Sequence, residues 1–216
     1  MRIILFGPPG AGKGTQAHRL SQAFGLTIIS TGQIIRDAIA AKTPAGLQAQ
    51  PFILAGELVP SGIVRAMAED ALHAVGLDNF ILDGYPRTPE QAEWLDDLLC
   101  DGGTCIDAVV ALRVHADEIV NRLSQRRIHA ETGESFHLLL NPPPADVPSR
   151  LLIQRPDDQP TVIRHRIETY IAQTKPVLDH YRQQECVHEI DGLGSVDAIY
   201  GRIVSQLRGS QVAAQS

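Results

Sequence analysis

The segment GPPGAGKGT at positions 7–15 concentrates residues whose types and spacing can bind phosphate. Gly7, Gly10, Gly12 and Gly14 let backbone N–H groups curl around phosphate oxygens, and a helix starting there would turn its N-terminus toward the same charge. Lys13 is placed to reach the terminal phosphates. The hydroxyl that ordinarily follows this lysine and ligates magnesium is displaced by one position, because Gly14 precedes Thr15. Asp83 ends the apolar run FILD, where a carboxylate can hold magnesium or its waters. Arg122 and Arg126 stand four apart in a stretch, 116–127, whose apolar residues Ile119, Val120 and Leu123 predict a helix, so both fall on one face. Only three of the nineteen basic residues are lysines, and arginine is the better bidentate partner for phosphate.

The elements that must position these groups follow from hydrophobic patterning. Residues 2–6 (RIILF) form a nearly continuous apolar run ended by Gly-Pro-Pro-Gly, the pattern of a strand buried on both faces. Ala17, Leu20 and Phe24 recur at helical spacing, and Gly25 stops that helix. Further apolar runs at 26–29, 79–82, 107–114 and 187–190 alternate with helical patterns at 61–75, 89–100, 116–127, 161–184 and 195–207. This alternation predicts an α/β fold with a mostly parallel sheet flanked by helices, its ligand edge at the strand C-termini. Two stretches fit the pattern poorly and read as insertions: about 31–59, helical but interrupted by Pro44 and Pro51, and the proline-rich 128–159. Insertions of this length commonly serve as lids or binding elements. The tail, 209–216, is expected to fray.

Composition narrows the function classes. The chain has 216 residues, 44% hydrophobic and 20% charged, with a formal charge of −6. No apolar run approaches the length of a membrane span and no block of like charges occurs, which disfavours membrane insertion and general nucleic-acid binding. Cys100, Cys105 and Cys186 form no CxxC pair, so neither a disulfide framework nor a four-cysteine metal site is suggested. The start, MRIILFGPPG, lacks the pattern of a secretory leader, and a cytoplasmic protein is expected. Trp94, Leu95, Leu98 and Leu99 read as packing, as do Tyr170 and Tyr181, with Pro176 as a kink. His18, His73, His115, His165, His180 and His188 show no triad or metal spacing.

The phosphate loop has the form GxPGxGKGT, and an ordered series of further motifs accompanies it: STG at 30–32 with Arg36, LV at 58–59, DGYPRT at 83–88 with Gln91, RRIHAETG at 126–133, RPDDQ at 155–159, and Arg166. In this set the chain resembles the long-lid bacterial adenylate kinases along nearly its whole length. The resemblance implies the nucleoside monophosphate kinase fold, with a core at 1–29, 60–121 and 160–216, an AMP-binding arm at 30–59 and a lid at 122–159. It implies reversible conversion of ATP and AMP to two ADP, in adenine nucleotide homeostasis and purine salvage, by a monomer using magnesium with ATP.

By the same resemblance, ATP is bound by Gly10, Ala11, Gly12, Lys13, Gly14, Thr15, Arg122, Arg126, Ser135, Phe136 and Gly194. AMP is bound by Thr31, Arg36, Glu57, Leu58, Val59, Gly84, Arg87, Gln91, Arg155 and Arg166. Lys13, Arg87, Arg122, Arg126, Arg155 and Arg166 form the catalytic set, and Asp83 holds magnesium, through water. Arg127 and Arg164 are candidates to pair with Asp157 or Asp158. Ser30 is also a candidate helix cap, which would make Thr31 part of capping chemistry, and the binding role is the favoured one.

The chain departs from the family at several points. Gln33 stands where a second carboxylate is usual, and Leu54 and Ser61–Gly62 replace acidic residues of the arm. At the positions where some members bind zinc through four cysteines stand His129, Thr132, Asp146 and Ser149, so no structural zinc is expected and hydrogen bonding among these four is expected instead. Other readings are a kinase for UMP or CMP, or one with GTP as donor, and a nucleotide sensor with weak catalysis. A GTPase switch is weaker, because no NKxD guanine-reading motif occurs.

Overall fold

The computed structural model describes residues 1–213, with side chains as far as Gly209. Strand β1 (Arg2–Phe6) leads through the glycine-rich loop into α1 (Lys13–Phe24) and β2 (Thr27–Ser30). Helices α2 (Thr31–Ala40) and α3 (Pro44–Ala55) precede α4 (Ser61–Ala74), β3 (Phe80–Asp83), α5 (Pro89–Asp101) and β4 (Ala108–Arg113). Helix α6 (Ala116–Ser124) is followed by three short strands, β5 (Arg126–His129), β6 (Ser135–His137) and β7 (Leu152–Ile153). Then come α7 (Pro160–Thr169), α8 (Val177–Arg182), β8 (Val187–Asp191) and α9 (Val196–Ala213).

Five strands form one parallel sheet in the order β2-β3-β1-β4-β8. Alternate side chains enter two cores. Ile4, Phe6, Leu82 and Val109 face one layer of helices, while Ile3, Leu5, Ile81 and Val110 face the other, which explains the unbroken apolar runs. The central β1 lies between β3 and β4, so the crevice beyond its C-terminus is where strand order places a ligand. The second sheet, β6-β5-β7, is antiparallel and built within the proline-rich stretch. Among the described residues no helix is long and apolar enough to cross a membrane.

Four expectations are corrected. The helix expected over 116–127 ends at Ser124, and Arg126 opens β5. The helical apolar series stops at Leu123, and the next buried side chain, Ile128, belongs to the alternating pattern of a strand paired on both edges. The helix expected over 161–184 is broken. A wide π turn at Tyr170–Thr174, closed by Lys175 N–H donating to Tyr170 O at 2.8 Å, precedes Pro176, which has no N–H to offer the helix. Pro44 starts α3, with Thr43 Oγ1 capping Gly46 N–H, and α3 continues through Pro51 to Ala55. The tail is helical as far as Ala213, and residues 214–216 lie outside the described residues.

Helices α2 and α3 approach so closely at Gly46 that a Cβ there would lie 2.2 Å from the carbonyl oxygen of Ala38. Backbone has to move to admit even a methyl group. Gly46→Ala is therefore expected to destabilise the protein by about 2–3 kcal/mol despite alanine's better helix propensity. Urea unfolding measures this, and an unchanged or raised midpoint would contradict the packing described.

Candidate active site

The loop after β1 wraps the end of the sheet and delivers its backbone to the crevice. Gly10 and Gly12 take positive φ angles of 76° and 96°, conformations that other residues adopt only under strain. A Cβ on Gly10 would also strike Leu123 Cγ at 2.8 Å, so the loop is seated against α6. Gly12, Lys13, Gly14 and Thr15 face the cleft, whereas Ala11 is buried behind the loop. Lys13 Nζ donates to the carbonyls of Gly7 and Pro8, at 2.8 and 2.9 Å. Desolvation pushes its pKa down to about 8, Asp83 opposes that shift, and Arg87, Arg166 and Arg126 add to it. Asp83, at the end of β3, faces α1's first turn; a Cβ on Gly14 would stand 3.6 Å from its Oδ2.

On the side of α2 and α3, Arg36, Glu57, Leu58, Gly84 and Arg87 line the cleft. Arg87 Nε donates to Gly84 O at 2.7 Å, and Arg36 Nη2 donates to Gln33 Oε1 at 3.1 Å. Gln33 Nε2 in turn donates to Asp37 at 2.8 Å, so the glutamine joins Arg36 to α2's own carboxylate. Thr31, Val59 and Gln91 are buried behind this wall. Thr31 Oγ1 donates to Gly84 O, at 3.0 Å. Gln91 Oε1 accepts from Arg87 N–H at 2.8 Å, and its Nε2 contacts Ser61 Oγ at 3.1 Å. The side chain of Gln91 therefore braces the strand-to-helix loop carrying Arg87.

The third wall comes from β5 and the turn before α7. Arg126 is held bidentately by Asp158, at 2.8 and 2.6 Å, and Arg166 meets Asp157 at 2.8 Å and Asp158 at 3.4 Å. Asp158 is wholly buried. These aspartates thus pair with Arg126 and Arg166 rather than Arg127 or Arg164: Arg127 donates to the carbonyls of Ser124 and Arg126, and Arg164 points to solvent. Arg155 has no ion-pair partner among the described residues, and burial beside Arg126 and Arg36 pushes its pKa down to about 9. Arg87 is pushed down to about 10, by burial first and then by Arg166.

Beyond α6 the cleft is bounded by Arg122, by Ser135 and Phe136 of β6, and by Gly194. Arg122 Nε bonds Glu118 at 2.7 Å and its Nη2 donates to Gly192 O at 2.9 Å. Arg122 and Arg126 both face the cleft, although one leaves a helix and the other a strand. The cleft measures about 1680 Å³, well above the 300–1,000 Å³ usual for one small ligand.

In the small sheet, His129 Nδ1 accepts N–H groups of Glu131 and Thr132, and Thr132 Oγ1 accepts that of Glu134. Asp146 and Ser149 make no side-chain hydrogen bond to either, so the expected four-residue network reduces to a local hairpin turn. Among the described residues no group of three or more His, Cys, Asp and Glu is placed to hold a metal ion. His137, overlooked in the sequence, lines the cleft, and its Nδ1 accepts from Leu139 and Leu140 N–H at 3.1 and 3.0 Å. Gln16 was also overlooked. It is buried, and its Nε2 donates to Val196 O at 3.1 Å, joining α1 to the start of α9.

Comparison with known proteins bears on the family. The family model described as adenylate kinase matches residues 5–186. A protein of Salinibacter ruber named adenylate kinase is 48% identical over 207 residues, covering 96% of this chain and 98% of its own. One of Trichlorobacter lovleyi with the same name is 43% identical, covering 96% and 99%, and one of Pyrococcus horikoshii is 41% identical, covering 94% of each. With a phosphate loop, converging arginines and a cleft roomy enough for two ligands already in place, these likenesses show that the chain belongs to the adenylate kinase family, the phosphotransferases that interconvert ATP and AMP with two ADP.

Proposed function

We propose that ATP lies along the loop at 10–15 with its base toward Ser135, Phe136 and Gly194, and that AMP lies against Arg36, Glu57, Leu58, Gly84 and Arg87. The observation that carries this reading is the excess of positive charge where the two ligands would meet. Among the described residues, Lys13, Arg36, Arg87 and Arg155 have no carboxylate within ion-pair distance, and burial lowers the pKa of all four. A polyphosphate supplies the missing charge. Thr31, Val59 and Gln91 shape the AMP side from behind, and Ala11 does so for the phosphate loop.

In this reading an oxygen of the AMP phosphate attacks the terminal phosphorus of ATP, and the bond from that phosphorus to the bridging oxygen breaks as ADP leaves. Lys13, Arg122, Arg126, Arg155, Arg166 and Arg87 hold the phosphates in line and stabilise the equatorial oxygens; no covalent protein intermediate is needed. Asp83 and Thr15 are hard oxygen donors beside the first turn of α1 and fit magnesium, which keeps several waters and takes few protein ligands. When bound with ATP, the ion supplies further neutralisation of phosphate charge.

The proposed division is a core (1–29, 60–121, 160–216), an AMP arm (30–59) and a lid (122–159); the separate walls that these segments lend the cleft support it, and closure of the outer two would exclude water from the phosphates. The lid is proposed to need no zinc. The protein is proposed to act as a cytoplasmic monomer in adenine nucleotide homeostasis and purine salvage, without nucleic-acid or membrane partners; the net charge of −6 supports the exclusion of nucleic acid.

Chromatographic assay with MgATP and AMP, GMP, UMP or CMP tests the reading: ADP should form with AMP, and preference for another acceptor would overturn the acceptor assignment. Lys13→Ala should lower turnover by about 10²–10³-fold with the fold intact, and near-normal turnover would sink the phosphate-loop assignment. Arg87→Ala should raise the KM for AMP by about tenfold or more while leaving that for ATP nearly unchanged. Phosphate binding favours the Lys13 ammonium, so ATP binding should take up protons and weaken as pH rises above about 8. Calorimetry in buffers of different ionisation enthalpy measures this uptake, which should diminish in Lys13→Met.

A further inference from the structure

Beyond the end of β8 the loop to α9 has lost its sheet partners, and its carbonyls need other donors. Three consecutive ones are taken by two arginines. Arg202 Nη1, from the second turn of α9, donates to Asp191 O at 2.8 Å and Leu193 O at 2.7 Å, while Arg122 Nη2, from α6, donates to Gly192 O at 2.9 Å. The loop is fixed at other points too. Gly192 N–H donates to Arg113 O at 2.9 Å, and a Cβ there would meet Val114 Cγ2 at 2.6 Å, so the chain lies hard against the end of β4. Asp191 Oδ1 accepts Leu193 N–H at 3.0 Å, and Ser195 Oγ accepts Ala198 N–H at the start of α9. Gly194 and Ser195 face the cleft, whereas Arg202 does not line it.

We infer that Arg202 is a positioning residue for the donor nucleotide. It grips the loop from behind at the carbonyls flanking Gly192, and so fixes both the rim at Gly194 and the oxygen that orients Arg122. The guanidinium suits this task because one nitrogen can serve two carbonyls turned to the same side, and because charged donors make the stronger hydrogen bonds. The inference rests on the reading that ATP lies on the Arg122–Gly194 side. Loss of Arg202 frees the loop without removing any group that touches ligand, so ATP affinity should suffer while the acceptor side, built on β3, α2 and α3, does not.

Arg202→Met keeps the side-chain stem and removes the donors. It is expected to raise the Kd of ATP, measured by calorimetry without acceptor, and the KM for ATP by about three- to tenfold, with the KM for AMP changed by less than about twofold. Arg202→Lys, able to reach one carbonyl, should fall between. Arg122→Ala, measured alongside, tests the underlying reading. If Arg122→Ala weakens ATP binding and Arg202→Met leaves it unchanged, the inference fails and the reading stands. If both variants weaken AMP instead, the donor assignment itself fails. Equal rises in both KM values with a lowered unfolding midpoint would make Arg202 a general structural residue and would also overturn the inference.

Discussion

Everything around the cleft is arranged to hold like charges together. Lys13, Arg36, Arg87, Arg126, Arg155 and Arg166 arrive from six different segments, and the carboxylates facing them include Asp83, Asp157 and Asp158. Such a cluster repels itself and loses hydration. The lowered pKa values of Lys13, Arg36, Arg87, Arg155 and Arg166 share burial as their largest cause and neighbouring cations as contributors. A protein tolerates this only if the scaffold is rigid and the local counterions are well placed. The sheet provides rigidity: Lys13 follows β1, Asp83 ends β3 and Arg87 follows it, from neighbouring strands with both faces buried.

The same constraint explains where the backbone is tightest. Phosphate binding asks for backbone N–H groups rather than side chains at the sheet edge, and the turn that presents them leaves no room at Gly10 beside Leu123. Gln91 shows a related economy. Its amide meets Arg87 N–H and Ser61 Oγ, so a residue expected on the AMP side also fixes the loop from which Arg87 emerges.

Much of the scaffold was legible in the sequence because its signals are local. RIILF and FILD are strands buried on both faces, and Gly25 ends α1 at a φ of 67°. The phosphate loop and the order of the arginine motifs were equally legible. What was not legible depended on contacts between distant segments. The chain shows that Asp157 and Asp158 are near arginines in sequence, but the choice of Arg126 over Arg127 follows from strand alternation in β5, which turns successive side chains to opposite faces. A helical reading through residue 127 could not show that alternation. His137 and Gln16 lacked any signal because their roles are hydrogen bonds to backbone, which leave no pattern in the side chains opposite them.

The turn at Asp157–Asp158 is where these separate requirements meet. Arg126 leaves the first strand of the small sheet, Arg166 leaves α7, and both end on the fully buried Asp158. Gly56, just past α3, lies so close that a Cβ on it would stand 2.9 Å from Arg166 Cγ. One arginine is thus in contact with the end of α3 and, through a shared carboxylate, with the root of the small sheet. Displacing that root from α7 would stretch the Arg126–Asp158 pair, and separating a buried pair leaves an uncompensated charge, which is far more costly than the pair itself is stabilising. Any movement of the outer segments is therefore better accommodated beyond Arg126, where the strands of the small sheet pair with one another, than at the arginines themselves. The charged groups can then stay in register with the phosphate loop while the segments around them change position.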